Sequence, residues 1–321
     1  MNKVCISGAS GYLASHIIIK LLECNYYVKG LTRNKEYFLL NYYDCLKKHV
    51  TNIEKLDNLE IIKYNHDLVD GDDNVTLINI LMDCDYLIHC ASPVLLQSFA
   101  DEKDNVNKII TPAIRYTETI LNAALFTNIK KVVFTSSTTT IYDGTQTKYS
   151  TNYWADLTHV HDAYSISKIQ SEKLAWKIYN EHKKWELIVL NPGRIIGPAI
   201  YNKIPESFCS IFEALKLSKD TPVQNRVIHN YYSSYCDVRD VADIHVFSLH
   251  ALTTNRYIIA FEIKEFRDYC DLLVEDEDFD EYCFIQESKE DNILFEFENS
   301  FNNYKYIPFE QSVKDSLVCL V

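Results

Sequence analysis

The sequence predicts an α/β fold, a doubly wound parallel sheet with a smaller C-terminal lobe, and three observations carry that prediction. Short apolar runs alternate with helical periods through residues 1–190. After Pro192 the alternation becomes irregular, and no low-complexity linker separates two independent domains. Only seven glycines occur in 321 residues, about a third of the usual share, yet Gly8 and Gly11 both stand in the opening Val4-Cys5-Ile6-Ser7-Gly8-Ala9-Ser10-Gly11.

Val4-Cys5-Ile6 reads as a buried strand at 3–7, and Ile17, Ile18, Leu21 and Leu22 recur at helical spacing over 12–24. The glycines therefore mark a strand-to-helix junction. Missing side chains there let a pyrophosphate approach the N–H groups and positive dipole of a helix start. A tight βα turn without a ligand shows the same glycine pair. Further strands are expected at 27–32, 60–64, 86–90, 131–136 and 186–191, joined by helices near 36–50, 74–82, 108–127 and 162–183. Residues 143–153 are polar and turn-rich and read as a loop beside the site, while Phe208–Leu217 reads as helical beyond a turn containing Pro205. Open α/β sheets bind ligands at the carboxyl ends of their strands. This divides the chain into a nucleotide-binding domain of 1–190 with 229–254, and a substrate-binding lobe of 191–228 and 255–321 packed over that edge.

Composition narrows the classes of partner. The hydrophobic share of 47% supports a substantial core. The first strand begins by residue 4, which leaves no room for a signal peptide, and no apolar run approaches the roughly 18 residues of a membrane span. A cytoplasmic protein with no membrane partner is expected. Ten cysteines lack any C-x-x-C pair, and Cys5 and Cys90 fall in core strands, so reduced, unligated thiols are expected. Residues 262–298 hold fifteen acidic residues against Lys264, Arg267 and Lys289, a balance of -12 within a net charge of -13. The remainder is close to neutral and offers no basic face for nucleic acid. Glu275-Asp276-Glu277-Asp278 reads as a solvated surface turn, because neighbouring carboxylates have no preset cage geometry.

Tyr164 and Lys168 stand at i and i+4, on one helix face. A free phenol has a pKa near 10, and a nearby cation stabilises its phenolate so that it exchanges protons at neutral pH. A surface Tyr–Lys pair gives the same spacing in a chain with 23 tyrosines. Upstream, Val132-Val133-Phe134 ends abruptly in Thr135-Ser136-Ser137. A hydroxyl there faces the crevice of the glycine turn and can hold a carbonyl, although such residues also simply form turns.

Together these pieces resemble the extended short-chain dehydrogenase/reductase family, whose fold is of the Rossmann type. Gly8-x-x-Gly11-x-x-Ala14, the Thr135-Ser136-Ser137 strand end and Tyr164-x-x-x-Lys168 stand in that family's order and separations. His89-Cys90-Ala91-Ser92-Pro93, Asn191-Pro192-Gly193-Arg194-Ile195-Ile196-Gly197-Pro198 and Asp237-Val238-Arg239-Asp240-Val241-Ala242-Asp243 are similar to the branch of dihydroflavonol, cinnamoyl-CoA and aldehyde or methylglyoxal reductases. Asp162-Ala163-Tyr164 and Glu172-Lys173-Leu174-Ala175-Trp176 resemble the aldehyde reductases most, and Asn255-Arg256-Tyr257-Ile258-Ile259 and Tyr306-Ile307-Pro308-Phe309-Glu310 extend the likeness to nearly the whole chain.

The resemblance implies NADP(H) as cofactor and a small aldehyde or ketone as substrate. It makes Ser137 the hydroxyl that orients the carbonyl, Tyr164 the acid/base, and Lys168 its activator and ribose contact. It also sets Gly8, Ser10, Gly11, Tyr12, Leu13, Asp67, Leu68, Ala91, Ser92, Pro192 and Gly193 against the dinucleotide, and Pro93, Tyr142 and Arg194 against the substrate. Monomer and homodimer both occur in this branch, with helices 108–127 and 162–183 the usual dimer face.

Cofactor choice has its own physical reading. An acid about 20 positions beyond the glycines binds a free ribose 2′-hydroxyl and repels a 2′-phosphate. Here Thr32 and Arg33 stand in its place with Lys35 nearby, which favours NADP unless Arg33 is simply a solvent-exposed strand-end residue. Ala14 replaces a third glycine and is small enough to pack. Tyr142 replaces the asparagine of flavonoid reductases, which disfavours a flavonoid substrate. Arg194 replaces an apolar residue and either binds a carboxylate or phosphate of the substrate or pairs with a neighbouring acid. His159 and His161 lack a third ligand, so no metal is expected, and His89 and His245 are expected to pack and hydrogen-bond. Two other functions compete: a nucleotide-sugar epimerase or dehydratase holding NAD, which Thr32-Arg33 opposes, and a non-catalytic NADP-binding sensor, which would not need both Tyr164 and Lys168.

Overall fold

The computed structural model describes residues 1–65, 73–91, 102–201, 227–229, 231–274, 286–288 and 294–317. In order, the chain forms β1 (Lys3–Ser7), α1 (Tyr12–Glu23), β2 (Tyr27–Thr32), α2 (Lys35–Asn41), α3 (Tyr43–Lys47), β3 (Leu59–Lys63), α4 (Asp73–Leu81) and β4 (Tyr86–His89). Then come α5 (Glu102–Asn105), α6 (Thr111–Leu125), β5 (Lys131–Thr135), β6 (Lys148–Tyr149), α7 (Ala163–His182), β7 (Glu186–Pro192) and β8 (Arg194–Ile196). The rest is β9 (Val227–His229), β10 (Tyr232–Asp237), α8 (Val238–Ala251), β11 (Asn255–Ile259), β12 (Glu262–Glu265), α9 (Phe266–Val274), β13 (Gln286–Ser288), β14 (Glu296–Phe297) and α10 (Phe309–Leu317).

Seven parallel strands make the central sheet, in the order β11-β7-β5-β4-β1-β2-β3. Successive residues of a strand face opposite sides, and the chain uses both sides for core. Val4, Ile6, Val133, Ile188 and Leu190 pack with Ile17, Ile18, Leu21 and Leu22 of α1 and Val241, Ile244 and Leu249 of α8. Cys5, Val132, Phe134, Leu187 and Val189 pack with Leu77 of α4, Ile120 and Leu121 of α6, and Ala175 and Ile178 of α7. The strands are largely apolar because both faces are covered, and this is the doubly wound α/β fold.

Some expected boundaries shift. Residues 255–259, assigned to the lobe by the sequence, pair with β7 and form the seventh strand of the sheet, where Ile258 and Ile259 are fully buried. β10, within the expected nucleotide-binding domain, belongs instead to a three-stranded sheet with β8 and β12. Residues 143–153 are not all loop, since β6 pairs with β14 and Tyr149 is buried with Ile141 and Phe295. The helix expected over 36–50 divides at Tyr42, whose φ of -115° leaves the helical range. The one near 108–127 begins with a π-helical turn at Val106–Ile110, just ahead of Pro112, which has no N–H to donate. Phe208–Leu217 and Glu275–Asp278 lie outside the described residues. Among the described residues, no helix is long and apolar enough to cross a membrane.

Candidate active site

β1 lies between β2 and β4, so the strand order reverses beside its carboxyl end, the place where open sheets leave a crevice. Gly8 follows it at φ +75°, and a Cβ there would lie 3.1 Å from Ala91 Cα, at the end of β4. Both the dihedral and the close approach require glycine. The Gly11 N–H donates to the Gly8 carbonyl at 2.8 Å, and the Ala9 N–H donates to Leu31 of β2 at 2.9 Å. Ser7 Oγ accepts from the Ala91 N–H at 3.0 Å and shares a hydrogen bond with His89 Nδ1 at 2.8 Å. Buried His89 therefore braces the strand ends.

Gly11 caps α1 with no side-chain bond, and the first turn of α1 carries no acid. Its positive end thus meets no protein carboxylate in that turn, and with the two absent side chains the cradle fits a pyrophosphate. Ser10 and Gly11 are exposed at its mouth, and Leu13 packs at the edge of the core. The Tyr12 hydroxyl donates to the Gly197 carbonyl at 2.7 Å, and Tyr201 donates to the Ala9 carbonyl at 3.1 Å, so the segment after β8 folds back onto the turn. At the end of β2, Thr32 is buried and Arg33 exposed, while Asn34 caps α2 and Lys35 begins it. Asp67, Leu68, Ser92 and Pro93 lie outside the described residues.

The second half of the site is where β5 meets α7. Asp162 caps α7 by accepting from the Ser165 N–H at 2.8 Å, which places Tyr164 in the first turn and Lys168 one turn later. Lys168 Nζ lies 5.9 Å from the Tyr164 ring centre and donates to the Thr135 carbonyl at 3.2 Å. Burial raises the Tyr164 pKa, and a side-chain hydrogen bond with Ser137 and the Arg194 guanidinium pull it back. Burial lowers Lys168 to about 8, opposed by Cys90 and Glu172. Phenol, hydroxyl and ammonium converge at the same sheet edge as the glycine turn. His245 stands behind them, bonded to Thr135 Oγ1 at 2.8 Å and lowered to about 4 by burial.

A buried polar network beneath this corner goes beyond the sequence reading. Glu172 pairs with Arg256 of β11 at 2.6 Å and gathers Ser136, Thr140 and Asn191 around its carboxylate. Arg256 also donates to the carbonyls of Thr151 and Tyr153 and stacks 3.9 Å from the Trp154 ring. The one signal in the sequence is spacing: Glu172 repeats the i+4 step of Tyr164 and Lys168.

The remaining expected contacts separate. Arg194, on β8, lies 5.7 Å from the Tyr231 ring centre and acts on the Tyr164 phenol. Tyr142 packs against Tyr149 and Phe295 in an aromatic cluster. Pro192 ends β7, and Gly193 is explained by packing, since a Cβ there would lie 2.6 Å from the Ser234 carbonyl. His159 and His161 are exposed before α7. Among the described residues, no three His, Cys, Asp or Glu side chains are placed to hold a metal ion.

The chain matches the model of the NAD dependent epimerase/dehydratase family over residues 4–260. It is 31% identical over 251 residues to cinnamoyl-CoA reductase 2 of Medicago truncatula, covering 76% of this chain and 67% of that protein. It is 27% identical over 317 residues to anthocyanidin reductase of Arabidopsis thaliana, covering 94% and 85%. Its fold is similar to yeast methylglyoxal/isovaleraldehyde reductase complexed with NADPH, at a TM-score of 0.80 and 21% identity over 99% of this chain and 98% of that one.

Proposed function

The chain belongs to the NAD dependent epimerase/dehydratase family, and from that premise we propose that it is an NADPH-dependent reductase of a small aldehyde or ketone, with Tyr164 as proton donor. The observation that carries this reading is the meeting of Ser137, Tyr164 and Lys168 at the sheet edge that also holds the glycine cradle. Gly8, Gly11 and the start of α1 would hold the pyrophosphate, Arg33 and Lys35 a 2′-phosphate, and Lys168 a ribose hydroxyl. Bound NADPH supplies the hydride that reaches the carbonyl carbon.

The protein's part is alignment and proton transfer. Ser137 holds the carbonyl oxygen beside the phenol. Tyr164 gives its proton to that oxygen, and Lys168 stabilises the phenolate left behind. Raised by burial, Tyr164 begins as the neutral acid that this step requires. Cys5, Cys24, Cys45, Cys84, Cys90 and Cys236 are free thiols, which suits a cytoplasmic enzyme.

The decisive experiment is an NADPH-oxidation screen over methylglyoxal, aliphatic aldehydes, diketones, keto acids and aromatic aldehydes, repeated with NADH. Turnover with NADPH supports the reading, and tightly bound NAD with epimerisation of a nucleotide sugar would replace it. Arg194, whose charge reaches the Tyr164 phenol, favours carbonyl compounds with a carboxylate or phosphate. Arg194→Leu should therefore reduce kcat/KM for keto acids more than for neutral aldehydes, and an equal change in both would sink that preference.

A further inference from the structure

Tyr164, Lys168 and Glu172 occupy i, i+4 and i+8 on one face of α7. The third is fully buried and belongs to no step of the proposed reaction. One of its oxygens, Oε2, accepts from Ser136 Oγ at 2.5 Å, Thr140 Oγ1 at 2.7 Å and Asn191 Nδ2 at 2.9 Å. The other, Oε1, accepts from Arg256 Nε at 2.6 Å. Asn191 turns its second N–H to the Ser137 carbonyl at 3.3 Å, and Thr140 Oγ1, whose one hydrogen serves Glu172, lies 2.9 Å from the same carbonyl. The residue before Ser137 and the carbonyl of Ser137 itself are thus tied to a single carboxylate. Only an acceptor-only group satisfies four donors in this way, and an amide would turn a donor toward some of them.

We propose that Glu172, held by Arg256, is the positioning residue of the catalytic corner: it fixes the turn that carries Ser137 against Tyr164 and supplies the negative charge that keeps Lys168 an ammonium. Among the described residues, Lys168 faces the Thr135 carbonyl and the Cys90 thiol from the sheet, and Tyr164 and Glu172 from its own helix. Burial raises Cys90 to about 12 and lowers His245, behind Thr135, to about 4, so both are neutral near pH 7. Glu172 is therefore the anion of this set. Arg256 balances it from β11, and Arg194 and Asp162 act on the phenol rather than on the ammonium.

The inference rests on the carbonyl-reductase reading, and Tyr164→Phe separates the two. The test assays the full chain with NADPH and methylglyoxal, or the member of the screen turned over fastest. Glu172→Gln should lower kcat about 100-fold, the effect of misplacing a catalytic group by an ångström, with NADPH affinity unchanged. Its alkaline limb of kcat should move to lower pH, because Lys168 loses its stabilising anion. Glu172→Asp keeps the charge and shortens the reach, so kcat should fall with the limb in place. It carries the test alone should Glu172→Gln fail to fold. Parental kcat in either variant, or a loss shared equally with NADPH affinity and no movement of the limb in Glu172→Gln, would overturn the proposal. Full activity in Tyr164→Phe would instead remove the catalytic reading beneath it.

Discussion

The glycine turn and the corner of Ser137, Tyr164 and Lys168 open on the same sheet edge, yet opposite means hold them. The turn is built from backbone: one left-handed residue, two missing side chains and hydrogen bonds from Gly11 and Ala9 to neighbouring carbonyls. The corner is built from buried charge, with Glu172, Arg256 and Lys168 each 6% exposed or less. A site for an anionic ligand works by leaving dipoles for the ligand to satisfy. A site that moves a proton must hold charges before the substrate arrives, and buried charges persist only when paired and fully hydrogen-bonded. The turn should therefore fail when atoms are added, and the corner when polar atoms are removed.

The largest effect should fall on the corner. Tyr164→Phe removes a hydroxyl and no packing volume, and should cut turnover by about 10²–10⁴-fold, while NADPH titrated against protein fluorescence still binds. Retained turnover would show that the corner is not where the proton comes from. Gly8→Ala tests the turn by addition. Its methyl meets Ala91 at a φ that suits glycine, so urea unfolding should show a loss of about 1–3 kcal/mol, together with weakened NADPH binding. Unchanged stability would mean that the turn is not sterically set. Arg33→Ser is the mildest, because the side chain is exposed. The preference for NADPH over NADH in kcat/KM should drop about tenfold, and an equal change with both cofactors would take Arg33 out of the discrimination.

The two regions also differ in how far the sequence reveals them. Strands 3–7 and 27–32 match residue for residue, because short, largely apolar runs stand between turn residues and both faces are buried. The glycine turn is equally plain, since both glycines lie within four residues of sequence, although Ala91, which Gly8 meets, does not. Tyr164 and Lys168 are legible through the i+4 rule. The rest of the corner is not: Glu172 and Arg256 are 84 residues apart, and neither type of residue announces that it will be buried. Lys148-Tyr149 looks like loop because its partner, Glu296-Phe297, lies far along the chain, and pairing rather than propensity makes it a strand. Arg256 is harder still to place, because its strand closes the sheet after four further described elements, β8, β9, β10 and α8, have intervened.

That late strand bears on the order in which a chain made from its N-terminus can mature. Every residue of the glycine cradle, and the β4 end it leans on, is made within residues 1–91. Glu172 emerges much earlier than the guanidinium that neutralises it, and burying a carboxylate without its partner is strongly unfavourable. During synthesis, then, the glycines and the β4 end they meet are made before either half of that ion pair, while Gly197 and Tyr201, which brace the turn, come between Glu172 and Arg256. The buried ion pair is complete only once the seventh strand docks and brings Arg256 to Glu172.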